Sequence, residues 1–111
     1  MTATVKNIIP RKLAENSQTT QYTATNCRTR IDKFTGTNVT AGAVTLSINL
    51  IASAGSAGDL NLVVKTKSIA AGETYTFPEL VGQVLESGGF ISTIASAASS
   101  ITISSAGVEF T

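Results

Sequence analysis

The chain has 111 residues, 42% of them hydrophobic and only 14% charged, with a net charge of +1. That length suits one domain with a modest core. With no His and a single Cys, it cannot form a Ser-His-Asp or Cys-His set, a zinc site of several N or S ligands, or an intrachain disulfide. Cys27 reads as a buried, inert thiol. The charge is uneven, with +4 in residues 1–33 and −3 in residues 34–111. This split suits contact with an acidic protein partner, though ordinary surface charge gives such small counts too. The basic residues form no dense run and have no aromatic platform, which argues against nucleic acid. Ser and Thr make 29 of the residues, many alternating with Val, Ile and Leu, a pattern of β structure.

In chain order, Thr2–Ile9 reads as a strand or an extended arm, closed by Pro10, with Val5, Ile8 and Ile9 apolar. No long apolar stretch follows a basic start, so it is not read as a signal peptide. The longest apolar run is far short of a membrane span. Residues 1–13 are therefore taken as an arm or an edge strand, and 14–111 as one β domain.

Thr20–Ala24 reads as a short strand broken at Asn26. Arg28–Asn38 reads as another, with a slip: Ile31 and Phe34 are three apart and fall on opposite faces of a regular strand. A bulge near Asp32-Lys33 would bring both inward. Ala43–Ile51 alternates cleanly, with Val44, Leu46, Ile48 and Leu50 on one face and Thr45, Ser47 and Asn49 on the other. Ala52–Asp59 is a small-residue loop, without the Lys-Ser or Lys-Thr of a phosphate cradle. Leu60–Ile69 is a strand with Leu62 and Val64 inward. Ala71-Gly72 marks a tight turn and Thr74–Phe77 a short strand. Pro78 then opens a helix of one or two turns over residues 78–85, which Thr76 and Glu79 would cap. Leu80, Val81, Val84 and Leu85 would cover one face of it. Ser87-Gly88-Gly89 turns the chain into Phe90–Ile94, and Ile101–Ser104 is the last strand, with Gly107 suited to a bulge beyond it. The expected core is Leu46, Ile48, Leu62, Val64, Leu80, Phe90, Ile101 and Ile103.

Seven or eight short strands with frequent turn signals indicate an all-β, antiparallel β-sandwich, of jelly-roll type first and Ig-like second. Seven carboxylates scatter singly, and none matches a calcium loop. The reading is therefore of a protein that is not an enzyme, with no catalytic residues, metal, cofactor or small-molecule substrate.

Arg30–Asn38 (RIDKFTGTN), the alternating AVTLSINL, and then AGETY, FPELVGQVL and GGFI resemble stretches of small structural proteins of tailed phages. The nearest likeness, in size also, is to the capsid decoration proteins called staple or cement proteins of short-tailed bacteriophages. The resemblance implies a jelly-roll-like domain bound outside an icosahedral shell and paired about two-fold positions. It implies a virion protein of the outer capsid surface, assembled in the host cytoplasm, whose partners are the major capsid protein and a second copy of itself. A neck, head-fibre or host-attachment binding module is the alternative. The residues expected to meet the partner are Val5, Ile8, Ile9, Arg11, Lys12, Arg28 and Arg30. In that role the apolar side chains supply burial and the arginines fix register on carboxylates.

Overall fold

The computed structural model describes residues 2–111, so the first residue of the 1–13 segment lies outside the described residues. The chain is an all-β protein whose two antiparallel sheets pack face to face as a β-sandwich. Its strands are β1 (Ala3–Leu13), β2 (Thr19–Thr23), β3 (Arg28–Asn38), β4 (Val44–Ile51), β5 (Leu62–Ile69), β6 (Thr74–Thr76), β7 (Val84–Leu85), β8 (Phe90–Ala95) and β9 (Ile101–Phe110). The larger sheet runs β1-β9-β3-β6, with β7 also on β3, and the smaller runs β2-β8-β4-β5. The pairing is nested: β1 with β9, β2 with β8, β3 with β6 and β7, β4 with β5.

Bulges decide which side chains reach the core. Asp32 is an extra residue in β3, between the pairs Ile31–Gly107 and Lys33–Ala106. It turns both Ile31 and Phe34 inward, where they are almost fully buried. A second register shift, between Lys6 and Ile9 of β1, turns both Ile8 and Ile9 inward in the same way. Segment 3–13 is therefore an edge strand anchored by two isoleucines.

Leu46, Ile48, Val64, Ile101 and Ile103 are buried, as the alternation predicts, and Leu80 is buried as expected too. Leu62 and Phe90 are corrections, for both are only half-buried. Between the pairs Ile48–Val64 and Asn49–Leu62, Val63 is the extra residue on β5. Leu62 is thus carried to the outer side with Asn49. In β8 it is Ile91 that faces in, opposite Leu50, while Phe90 pairs with Ile51. A slip of one residue exchanges the two faces of a strand.

The outer face of β4 is also less open than its hydroxyls suggest, since Ser47 and Asn49 are buried. The small-residue loop after β4 folds back across it. Asn49 Nδ2 donates to Asn61 Oδ1 at 2.7 Å and to the Gly58 carbonyl at 3.2 Å.

The expected helix over 78–85 shrinks to one 3₁₀ turn, Pro78–Leu80. Gly82 has φ +84°, which ends the turn, and Val84-Leu85 then pairs with β3. Leu80 and Leu85 are buried, but Val81 and Val84 are exposed, so no single apolar face forms. The expected Thr76–Glu79 cap is absent: Phe77 holds the cap position without a side-chain bond, and Glu79 accepts from the Tyr75 hydroxyl instead. The turn at Ala71-Gly72 is as expected, with Gly72 at φ +73°.

Candidate partner-binding face

Directly opposed residues in a sheet share a face. Val5 opposes Val108, Val108 opposes Arg30, and Arg30 opposes Val84. One row therefore crosses four strands of the larger sheet. A neighbouring row holds Ala3, Phe110 and Arg28. Val5 is 79% and Val84 46% exposed, so these rows face outward. Val108 is only 6% exposed yet stands apart from the main core.

The arginines lie among the apolar groups. The Arg30 guanidinium sits 5.8 Å from the centre of the Phe110 ring and donates to Asp32 Oδ1 at 2.8 Å. That hydrogen bond, followed by the charge of Asp32, raises Arg30 further above its usual range. Arg28 Nε donates to Glu86 Oε1 at 3.0 Å. Both pairs are exposed, and such pairs hold little energy against solvent. An incoming carboxylate can therefore take either arginine at small cost, and Phe110, Val5 and Val84 offer burial beside it.

Of the residues expected to meet a partner, the fold brings Val5, Arg28 and Arg30 together on this face. It does not bring the others. Ile8 and Ile9 are 4% and 1% exposed, in this chain's own core, so neither offers burial to a partner. The bulge before Ile9 is the physical reason. Arg11 is exposed but lies beyond that bulge, on the C-terminal half of β1. Lys12 is tied to Glu15 at 2.8 Å. Sequence reasoning missed Val84, taken for helix, and Val108 and Phe110, beyond the expected end of the last strand. The Val108-Glu109-Phe110 alternation was their signal.

Behind the face, a polar clasp joins the sheets. The Tyr22 hydroxyl of β2 donates to Glu109 of β9 and lies 2.7 Å from Thr29 Oγ1 of β3. Glu109 also meets Lys6 of β1 at 3.5 Å, and buried Cys27 lies 3.9 Å from the Tyr22 hydroxyl. Burial, then the bond to Glu109, raises Tyr22 above its usual range. The Tyr22 hydrogen bond holds Glu109 below its ordinary 4.5, against desolvation, and Lys6 adds to this.

The signs set a pH window. A lowered carboxyl contributes stability that is full above its unfolded value and is lost as pH falls through the lowered one. A raised phenol contributes stability that is full below its unfolded value and is lost at higher pH. The midpoint of urea unfolding should therefore fall as pH drops below 4.5, and again above 10.0. In Glu109→Gln the acid slope should be shallower. An equal acid slope in wild type and variant would remove Glu109 from the account.

A cleft of about 590 Å³ opens at one end of the sandwich, lined by Leu50, Leu60, Leu62, Val63, Val84 and Leu85 among others. Glu86 is its one ionisable lining residue. Among the described residues no three His, Cys, Asp or Glu side chains converge. Among the described residues, too, no helix is long and apolar enough to cross a membrane. No family model matches the chain, and neither does any curated protein or solved structure.

Proposed function

We propose that the chain is a non-enzymatic structural protein of a virion, which decorates and cements an icosahedral phage capsid by binding the major capsid protein. The observation that carries this reading is the outward row Val5–Val108–Arg30–Val84, with Phe110 and Arg28 beside it. Apolar anchors interleaved with arginines are the composition of a protein-docking surface, where aromatic and Arg side chains supply most of the energy. The nested strand pairing supports the jelly-roll type that the resemblance implies.

Co-sedimentation with purified undecorated shells tests the reading. Val5→Asp and Arg30→Glu are both surface changes, so they should leave melting nearly unchanged. Each should weaken shell binding at least tenfold, and the pair should abolish it. Wild-type occupancy by the double variant would overturn the assignment of this face. Failure of the wild-type protein to bind any such shell would overturn the function itself.

A further inference from the structure

The two halves of β1 are held very differently. Ala3–Asn7 is exposed at every residue, whereas Ile8 and Ile9 are buried. The register shift between Lys6 and Ile9 separates the halves. Burial therefore anchors the strand only from Ile8 onward. Before that point the strand is held by its backbone ladder to β9, by paired bonds between Thr2 and Thr111 at 2.8 Å, and by one ion pair, Lys6–Glu109 at 3.5 Å. Lys6 keeps 44% of its side chain exposed, so that pair is weak. A strand end with no buried side chain, exposed backbone bonds and an irregular junction behind it is the kind of segment that opens locally.

We infer that Ala3–Lys6 is a releasable strap, which peels from β9 about the Asn7-Ile8 bulge while the rest of the sandwich stays folded. Lys6 acts as its latch, and Glu109 is the fixed catch, because Tyr22 holds that carboxylate in place from the opposite sheet. Opening bares the edge of β9 from Gly107 to Phe110. That edge borders Val108 and Phe110 on the outward face, and an unpaired strand edge is open to unselective pairing. The closed strap therefore also keeps this edge from pairing at random. The inference concerns the free protein and stands or falls apart from shell binding.

Native-state hydrogen exchange of the isolated protein tests it, followed residue by residue with increasing sub-denaturing urea. The ladder amides of Ala3–Lys6 should exchange at least tenfold faster than those of Ile9–Leu13, and their rates should be nearly independent of urea. Lys6→Met keeps the stem and removes the charge. It should speed exchange in residues 3–6 two- to five-fold and leave Ile9–Leu13 and the melting temperature unchanged. A Val5→Cys/Val108→Cys pair, oxidised across directly opposed positions, should slow the same amides to the rate of Ile9. If residues 3–6 of the wild type exchange in step with Ile9 and with the same urea slope, they open only in global unfolding and there is no strap. If Lys6→Met leaves their rates unchanged, Lys6 is not the latch.

Discussion

Phe77→Ala is expected to cost about 3–5 kcal/mol of unfolding free energy, the loss typical of a large ring removed from a closed core. Phe77 is fully buried. Its ring meets Phe34 edge-on at 5.3 Å and Tyr75 at 4.8 Å, and edge-to-face contacts add to area burial. The position matters as much as the ring. Phe77 leads from β6 of the larger sheet into the Pro78–Leu80 turn, beside buried Leu80 and Ile69. Gly36, the cross-strand partner of Tyr75, lies against the ring: a Cβ there would stand 3.1 Å from it, so the ring fills the space that glycine leaves. Truncation would open a cavity walled by β structure that cannot readily collapse. A small domain has only about 5–15 kcal/mol in all, so the variant should melt at a far lower temperature. The nearby Val81→Ala, at a 57% exposed side chain, should change stability by less than about 0.5 kcal/mol. Urea midpoints at a shared slope give both values. A Phe77→Ala loss under about 1 kcal/mol would mean the ring is not a core element.

Gly107→Ala should cost roughly 3 kcal/mol or more, although it adds one methyl group. Gly107 lies on β9, between Lys6 of β1 and Ile31 of β3. A Cβ there would stand 2.3 Å from the Arg30 carbonyl oxygen and 3.5 Å from the Ile31 Cα. Both are backbone atoms, so no side chain can swing aside. The two strands must part, and the ladder beside the Asp32 bulge must stretch with them. The expected bulge at Gly107 is thus replaced by another role: Asp32 supplies the bulge on β3, and Gly107 admits the backbone that bulge displaces. Gly42→Ala is the control, because a Cβ there has nothing within 4 Å, and it should stay within about 0.5 kcal/mol of wild type. Equal stability of the two variants would show that the strands separate without cost.

Period-two alternation was enough to read β4 from the sequence, since Val44, Leu46 and Ile48 lie on one face whatever the neighbours are. Ile31 and Phe34 were legible through their conflict, because two large apolar residues three apart require a bulge in a strand. Gly72 was legible because a tight turn needs positive φ. Leu62, Phe90 and the stretch from Val81 to Leu85 were not legible. Their faces depend on how many residues the partner strand contributes at each step, which no local pattern encodes. The docking face was legible only in part. Arg28, Arg30 and Val5 carry composition and charge that are visible in one dimension, but their shared row exists because β9 lies between β1 and β3.

By itself the sequence determined an all-β chain with a single cysteine and no histidine, since residue types and alternation are local properties. Only the tertiary structure decided that Ile8 and Ile9 belong to the core while Val5 faces out. The physical reason is the bulge before Ile9, which reverses the direction of side chains within a single strand, and whose place is set by the pairing of β1 with β9.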